Sequence, residues 1–335
     1  MKVVVTGGAG FIGSNLTDEL ARDHEVTVID NLSTGRIENL DHIRDRIQFI
    51  NGSILDMELL RRAFAGADTV FHQAAIPSVQ RSVDNPIASN QANVDGTLNV
   101  LVAARDCGAK KFIFASSSAI YGDEPTLPKT EDMKPDPLSP YAVAKITGEY
   151  YARVFSEIYG LKTVCLRYFN VYGPRQDPKS EYSAVIPIFI SRIMEGLPPV
   201  IYGDGNQTRD FCNVRDVVKA NILAMEKGSV EGVFNIACGK RTSLNQLARV
   251  IMDIMGSEAA PVHDRPRKGD IQDSVADISA ARMGLNFEPD YDLVSGLRET
   301  VKWFGERIEG GCFGKRIGKR VMVSSEQASC GRGRR

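Results

Sequence analysis

The sequence predicts an α/β protein in which a doubly wound parallel sheet is joined to a smaller, interleaved C-terminal α/β lobe. Short β-branched runs alternate with longer amphipathic segments over the first half of the chain, a rhythm typical of a parallel sheet with helices on both faces. A glycine-rich turn follows the first of these runs, as in many nucleotide-binding sheets. Proline and glycine interrupt the rhythm after residue 171, which indicates where the smaller lobe begins.

The individual elements follow from these patterns in chain order. Strands are predicted at KVVVT, EVTVID, TVFHQAA, KKFIFASSS and TVCLRYFN, and helices are predicted up to residue 21 and over 57–64, 90–107 and 141–159. VRDVVKANILAMEKG and VFNIA are expected to add one more helix and strand to the same sheet. We therefore expect a Rossmann domain over 1–170 to which about 214–237 return, a substrate-binding lobe over 171–308, and a basic, disordered tail over 309–335.

Composition favours a small-molecule partner over nucleic acid or a membrane. The chain has 335 residues, 43% of them hydrophobic, and its 41 basic side chains nearly balance 42 acidic ones, so no strong overall field is present. Six cysteines occur without a C-x-x-C pair, and the four histidines form no H-E-x-x-H motif. These patterns predict neither a disulfide framework nor a metal site, and they favour the cytoplasm.

The turn TGGAGFIGS is the first candidate site. Gly7, Gly10 and Gly13 stand between the first strand and the first helix, where missing Cβ atoms let the backbone and the helix N-terminus approach a pyrophosphate. Asp30 follows Gly13 by seventeen residues at the end of the next strand, and it can accept hydrogen bonds from a ribose while repelling the extra phosphate of NADP. NAD is therefore the predicted cofactor, although nearby Arg36 leaves NADP as an alternative.

The second candidate site combines a tyrosine, a lysine and a serine cluster. Ser139 is placed to cap a helix on which Tyr141 and Lys145 lie one turn apart. A free phenol has a pKa of about 10, and a neighbouring ammonium favours the phenolate form. Serines 116–118 close a predicted strand at the end where open α/β sheets bind ligands, although serines there can also serve only to cap the sheet edge.

These motifs, together with NVDGTLNVL, SSSAIYG, YAVAK, RYFNVYGPRQ, RDF and RKGD, resemble the UDP-glucose 4-epimerase family of extended short-chain dehydrogenases. The resemblance runs from Met1 to about Trp303 and is strongest to the branch that acts on N-acetylated sugars, through HQAAIPSVQRSVDNP, SPYAVAK and RYFNVYGPRQDP. It implies a soluble enzyme with tightly bound NAD that oxidises and re-reduces C4 of a UDP-sugar. It also implies a homodimer formed through a four-helix bundle of the helices over 90–107 and 141–159.

The resemblance implies roles for named residues. Tyr141 is expected to act as base and acid for the sugar 4-hydroxyl, Lys145 to hold the nicotinamide ribose and lower the tyrosine pKa, and Ser117 to bond the same hydroxyl. Further cofactor contacts are expected from Phe11, Ile12, Asn31, Ser53, Ile54, Gln73, Ala74 and Asn93. Substrate contacts are expected from Ser78, Arg81, Ser116, Ser118, Asn170, Ala184, Val185, Arg209, Arg267, Asp270 and Ser274, with Asn170, Arg209 and Arg267 on the UDP phosphates.

Three positions refine these expectations. Ser118 and Ala119 stand where the related 4,6-dehydratases have an Asp-Glu pair, so dehydration lacks its acid and base. Ser274 matches a gatekeeper that is small in relatives accepting N-acetyl groups, and Ser53 replaces an aspartate that contacts adenine in many relatives. The alternatives are an epimerase or decarboxylase for UDP-glucuronate, with Arg81 on the sugar carboxylate, and a catalytically silent NAD(H)-binding regulator.

Overall fold

The computed structural model describes residues 1–177, 184–266 and 271–308. Its strands are β1 (Lys2–Thr6), β2 (Glu25–Asp30), β3 (Ile47–Asn51), β4 (Thr69–His72), β5 (Lys111–Ser117), β6 (Lys162–Tyr168), β7 (Val171–Tyr172), β8 (Val200–Tyr202), β9 (Thr208–Arg209), β10 (Cys212–Asn213), β11 (Gly232–Ile236), β12 (Thr242–Ser243) and β13 (Val262–Asp264). Its α-helices are α1 (Phe11–Leu20), α2 (Met57–Phe64), α3 (Val79–Asp84), α4 (Pro86–Asn90), α5 (Gly96–Asp106), α6 (Pro140–Tyr159), α7 (Val185–Met194), α8 (Val214–Glu226), α9 (Leu244–Met255), α10 (Ser279–Leu285) and α11 (Leu293–Ile308).

Seven parallel strands form the central sheet, in the order β11-β6-β5-β4-β1-β2-β3. Strand β1 pairs with β2 on one side and β4 on the other. From β1 the chain first adds strands β2 and β3 on one side and then adds β4, β5, β6 and β11 on the other, so the strand order reverses between β1 and β4. This order confirms the predicted doubly wound parallel sheet. In such sheets the reversal opens a crevice at the carboxyl ends of the strands, where ligands bind.

Hydrophobic cores cover both faces of this sheet. Val3 and Val5 of β1 pack in one cluster with Leu16 of α1, whereas Val4 packs in another with Phe112 of β5. All five side chains have 0% exposure, and successive strand residues point to opposite faces. Burying one valine side chain contributes about 1.5–3 kcal/mol. The short β-branched runs therefore stabilise the sheet from both sides.

Helix α6 carries the predicted tyrosine and lysine, and its boundaries follow from its sequence. The Ser139 side chain accepts a hydrogen bond from the amide of Ala142, Pro140 is the first helical residue, and Gly160 ends the helix at φ 71°. Serine at the N-cap, proline in the first turn and a left-handed glycine after the last turn are favoured end signals. The predicted helix over 141–159 is confirmed.

The predicted helix over 90–107 is not uniform. Gln91–Asp95 forms a turn of π-helix before α5 begins at Gly96. The side chain of Asn93, within this wider turn, accepts a hydrogen bond from the amide of Ile76 at 2.8 Å and donates one to its carbonyl at 3.1 Å. This contact with the loop after β4 distinguishes the segment from a regular helix, and π-turns often occur near functional sites.

The chain divides into two compact units. One comprises 1–171, 207–242 and 271–291 and contains the seven-stranded sheet, and the other comprises 172–206, 243–270 and the residues from 292 onward. In the second unit β8 pairs in parallel with β13. The assignment of cofactor and substrate to separate units stays a prediction, and the predicted tail over 309–335 lies outside the described residues. None of the described helices is both long and apolar enough to cross a membrane.

Candidate active site

Residues predicted to act on a ligand converge at the carboxyl edge of the central sheet. Gly7 follows β1, Asp30 ends β2, Gln73 follows β4, Ser117 ends β5 and Asn170 follows β6. These strands are neighbours and run parallel, so their carboxyl ends lie along one edge of the sheet. The structure thus brings these five positions to the edge at which doubly wound sheets bind ligands.

The turn from β1 into α1 leaves no room for a side chain at Gly7 or Gly13. Gly7 has φ +72°, and a Cβ there would lie 2.6 Å from the Cα of Ala74. A Cβ on Gly13 would lie 2.1 Å from the carbonyl oxygen of Gly7. Helix α1 begins at Phe11, and its N-cap residue, Gly10, makes no side-chain capping bond. The N–H groups of the first turn of α1 therefore form a surface suited to phosphate oxygens.

Asp30 is held rigidly beside this turn. Its carboxylate accepts hydrogen bonds from the amides of Ala9 at 2.9 Å and Leu32 at 2.8 Å. Burial raises the pKa of Asp30, and these two hydrogen bonds oppose that rise. A Cβ on Gly35 would lie 2.8 Å from an oxygen of this carboxylate. The side chain of neighbouring Asn31 accepts a hydrogen bond from the amide of Ser33 at 3.1 Å.

Ser117, Tyr141 and Lys145 form one cluster. Burial raises the pKa of Tyr141, and the neighbouring Ser117 hydroxyl lowers it. Lys145 Nζ donates to the carbonyl of Ala115 at 2.7 Å and lies 5.8 Å from the centroid of the Tyr141 ring. Burial lowers the pKa of Lys145 to about 8, and the negative charge of Glu149 opposes this. A phenol, a hydroxyl and an ammonium thus meet at the end of β5.

A buried polar network lies behind this cluster, and sequence reasoning missed it. The Glu149 carboxylate accepts hydrogen bonds from Arg167 Nε at 2.9 Å and Nη2 at 2.8 Å, and from the Ser116 hydroxyl at 2.5 Å. Arg167 also donates to the hydroxyl of Tyr121 at 2.8 Å, and that hydroxyl donates to Asn235 at 2.7 Å. The sequence contains one sign of this network, because Glu149 follows Lys145 by four residues and so lies one helical turn beyond it. Ser116, predicted to contact substrate, is 3% exposed and turned toward this network.

Other predicted cofactor residues have protein partners of their own. Gln73 Nε2 donates to the Tyr168 hydroxyl at 3.2 Å and to Asn221 at 3.1 Å. Ser53 Oγ accepts a hydrogen bond from the amide of Leu55 at 3.2 Å. Ile54 lies against α5, because a Cβ on Gly96 would be 2.5 Å from its Cδ1, and Ile12 packs against the core around α1. Their cofactor contacts stay predictions.

The predicted phosphate and sugar residues of the first unit lie on adjoining segments. Asn170 Nδ2 donates to the carbonyl of Asp210 at 3.4 Å. Arg209 Nη1 donates to the carbonyl of Thr208 at 2.9 Å, and the amide of Ser274 donates to the same carbonyl at 3.1 Å. Arg209 and Ser274 are therefore held close together by the Thr208 backbone.

The carboxylate of Asp210 fixes this region. It accepts hydrogen bonds from the amides of Cys238 at 2.9 Å, Gly239 at 2.9 Å and Ala276 at 3.2 Å. Burial raises the pKa of Asp210 to about 6 despite these bonds. Three backbone donors on one carboxylate hold the residue after Arg209 against two other segments of the chain.

The remaining predicted substrate residues are more scattered. Ser78 caps α3 by accepting a hydrogen bond from the amide of Arg81 at 3.1 Å, and Arg81 is exposed. Ser118 begins the 3-10 turn Ser118–Tyr121 beside Ser117. Ala184 and Val185 belong to the second unit, where Ala184 precedes α7 and Val185 begins it. Arg267 and Asp270 lie outside the described residues.

Comparison with known proteins decides the family. Residues 3–237 match the NAD dependent epimerase/dehydratase family. The chain belongs to this family. Membership confirms the resemblance found in the sequence. The glycine turn, Asp30 and the Ser117–Tyr141–Lys145 cluster of this epimerase/dehydratase all lie within the matched residues.

Solved structures of related enzymes superpose closely on this family member. A UDP-N-acetylglucosamine 4-epimerase from Methanobrevibacter ruminantium in complex with UDP-N-acetylmuramic acid is 47% identical, with TM-score 0.89, covering 91% of this chain and 98% of its own. A UDP-glucose 4-epimerase from Thermotoga maritima with UDP-glucose is 44% identical, with TM-score 0.88 and coverage of 92% and 100%. A Thermus thermophilus UDP-glucose 4-epimerase in complex with NAD is 40% identical, with TM-score 0.82 and coverage of 91% and 99%.

Curated relatives span more than one sugar class. A putative UDP-glucose 4-epimerase of Methanocaldococcus jannaschii is 41% identical over 304 residues, which are 90% of this chain and 97% of that protein. A UDP-glucuronate 4-epimerase of Thermodesulfobacterium geofontis is 35% identical over 319 residues, 91% of this chain and 97% of that protein. These relatives act on different sugars, so family membership does not identify the sugar.

Proposed function

We propose that the protein is an NAD-dependent UDP-sugar 4-epimerase that interconverts UDP-glucose and UDP-galactose, and also UDP-N-acetylglucosamine and UDP-N-acetylgalactosamine. The observation that carries the proposal is the position of buried Lys145 beside the Tyr141 ring, with Ser117 at the end of β5 near enough to lower the pKa of that tyrosine. This cluster lies at the same sheet edge as the glycine turn and Asp30. The relatives that cover nearly the whole chain include epimerases of both sugar pairs.

The residues present fit NAD. A side chain on Gly7 or Gly13 would collide with backbone, so the turn is shaped for close approach of a diphosphate to the start of α1. The Asp30 carboxylate keeps unshared lone pairs beyond its two amide bonds and suits the two hydroxyls of an adenosine ribose. Its negative charge disfavours the additional phosphate of NADP.

The chemistry supplied by bound NAD is transfer of hydride from the sugar C4 and its return to the opposite face, through a 4-keto sugar. The Tyr141 hydroxyl takes the proton of the 4-hydroxyl and later gives it back, and Ser117, which lies near Tyr141, bonds the same sugar hydroxyl. Burial raises the pKa of Tyr141, so the phenolate needs nearby positive charge. The Lys145 ammonium supplies part of it, held in place by the Ala115 carbonyl.

The small side chain of Ser274 supports the proposal that the enzyme accepts N-acetylated sugars. Ser274 lies next to Arg209, the residue proposed to bind a UDP phosphate. A serine in this position leaves space that a large side chain would fill. A carboxylated sugar is the second candidate, because exposed Arg81 offers a cation and a UDP-glucuronate epimerase is among the relatives.

We also propose a homodimer formed through α6 and its neighbour α5. Val143, Tyr150 and Ile158 lie seven and eight residues apart on α6 and are 48%, 50% and 68% exposed. Residues at this spacing form one helix face, and an exposed apolar face is typical of a helix packed on a partner. Light scattering should give twice the chain mass for the native protein and the chain mass for Tyr150→Glu.

The deciding experiment incubates purified protein, without added NAD, with UDP-glucose, UDP-N-acetylglucosamine or UDP-glucuronate, and separates the products by chromatography. We expect C4 epimers of the first two. Tyr141→Phe should abolish turnover while NAD remains bound, and Tyr159→Phe, which alters an exposed tyrosine at the end of the same helix, should behave as wild type. Conversion of UDP-glucuronate alone would favour the second candidate, and NAD binding without conversion of any sugar would favour a regulatory role.

A further inference from the structure

Two cysteines and an aspartate meet in the first unit, outside the proposed catalytic cluster. Cys212 lies in β10, Asp216 in the first turn of α8, and Cys238 two residues after β11. The two sulfur atoms and a carboxylate oxygen all lie within 4.8 Å of one another. Cys212 and Asp216 are buried and Cys238 is partly exposed. We propose that Cys212, Asp216 and Cys238 bind a thiophilic divalent cation such as Zn²⁺.

The spacing suits a tetrahedral ion after a small adjustment. With Zn–S bonds of about 2.3 Å and Zn–O bonds of about 2.0–2.2 Å, the sulfur atoms would lie roughly 3.8 Å apart and each about 3.5 Å from the oxygen. The three ligand atoms now lie within 4.8 Å of one another. Shortening these distances to the values of a zinc site needs side-chain movements of about 1 Å or less. Cys238 is partly exposed, which would let an ion enter and let water take the fourth position.

Each ligand is already anchored through its backbone or its carboxylate. The amide of Cys212 donates to the carbonyl of Asn170 at 3.2 Å, and the amide of Cys238 donates to Asp210 at 2.9 Å. The Asp216 carboxylate accepts hydrogen bonds from the amides of residues 290 and 291 at 2.8 and 3.3 Å. Hydrogen bonds that orient a ligand and leave lone pairs available are typical of metal sites.

The chemistry of the three groups also favours a cation, because two thiols and a carboxylate form a donor set that suits a thiophilic divalent ion. Binding breaks two S–H bonds, forms two metal–sulfur bonds and releases two protons to solvent. The ion then offsets three negative charges that this buried position otherwise disfavours.

A bound ion would connect three segments of the first unit. These are the start of α8, the residues after β11 and, through its amide bonds to Asp216, the segment at 290–291. Because Cys212 and Cys238 flank Asp210 in space, the ion would also stiffen the strand that carries Arg209. We therefore expect the ion to raise thermal stability. This inference does not depend on the sugar proposed above.

The test titrates reduced, metal-free full-length protein with Cd²⁺ in the absence of oxygen and records the ultraviolet band of cadmium–thiolate bonds. A double variant Cys312→Ser/Cys330→Ser serves as the parent, because both cysteines lie outside the described residues. We expect one equivalent of Cd²⁺ per chain, and competition by Zn²⁺. Cys238→Ser should weaken binding at least ten-fold and reduce the band, and Asp216→Asn should weaken binding while the band remains.

Cys107→Ser is the matched control, since Cys107 is also partly exposed and lies outside the cluster. It should bind as the parent does, and Zn²⁺ should raise the melting temperature of both but not of Cys238→Ser. If Cys212→Ser fails to fold, Cys238→Ser carries the test by itself because its side chain is partly exposed. Failure of the parent to bind one equivalent, or unchanged binding in Cys238→Ser, would overturn the proposal.

Discussion

The Glu149–Arg167 pair provides a quantitative test of what stabilises the site. Both side chains are 4% exposed, and Arg167 Nη2 lies 2.8 Å from Glu149 Oε2. Glu149→Ala leaves a buried guanidinium without its carboxylate, which typically costs about 3–5 kcal/mol. The hydroxyl of Ser116 loses its acceptor in the same variant. Against a total stability of about 5–15 kcal/mol, this loss should greatly reduce the urea concentration at the unfolding midpoint.

Helix α6 supplies a control with the same residue type. Glu157 pairs with Arg153 at 3.8 Å, and their side chains are 66% and 68% exposed. Glu157→Ala should therefore cost about 0–1 kcal/mol. Urea unfolding of both variants is monitored by circular dichroism. Their free energies of unfolding are compared with the same dependence on urea concentration for both. A loss below about 1 kcal/mol for Glu149→Ala, or equal losses in both variants, would refute this account of the buried pair.

Three further predictions concern pH, sugar choice and the cofactor. Burial lowers the pKa of His72 from 6.5 to about 3. Between these two pH values the unfolded chain therefore binds more protons than the folded protein. The free energy of unfolding should fall as pH drops from 6.5 toward 3, by up to about 1.4 kcal/mol per pH unit. His72→Gln should flatten that slope in urea unfolding, and an unchanged slope would assign it to other groups. Ser274→Tyr should reduce kcat/KM for UDP-N-acetylglucosamine at least ten-fold more than for UDP-glucose, and equal losses would contradict the proposed role of position 274. Gly13→Ala should lose bound NAD, because its Cβ would lie 2.1 Å from the carbonyl oxygen of Gly7. Gly228→Ala, with open space around it, should retain NAD. Bound NAD is released by denaturing the purified protein and measured, and retention by both variants would contradict the proposed approach of the cofactor to this turn.

Local patterns made most of the central sheet predictable. The β-branched runs of β1 and β2 and the helix α2 have the predicted positions, because each is defined by neighbours in sequence. Strand β3 is different: it lies at the sheet edge and all its residues are half-buried or exposed, so its apolar signal is weak. The strand order itself depends on crossovers that no local pattern specifies.

The same distinction applies to the candidate site. Tyr141 and Lys145 are one turn apart on a capped helix, so their proximity followed from spacing. Glu149 and Arg167 meet only because α6 packs on β5 and β6, and Cys212 and Cys238 meet only because β11 joins the sheet beside β6. Such contacts depend on tertiary register, which explains why the sequence predicted neither the buried ion pair nor the proposed metal site.

One face of α6 connects stability with the proposed chemistry. Tyr141, Lys145 and Glu149 follow one another at intervals of four residues, so phenol, ammonium and carboxylate lie along one line of the helix. Burial alone would favour neutral lysine, and Glu149 opposes this, leaving the pKa of Lys145 at about 8. At pH 7 that side chain is then mainly charged. The Glu149 carboxylate is in turn stabilised by Arg167, so a buried ion pair that contributes to folding also keeps the ammonium beside Tyr141 charged.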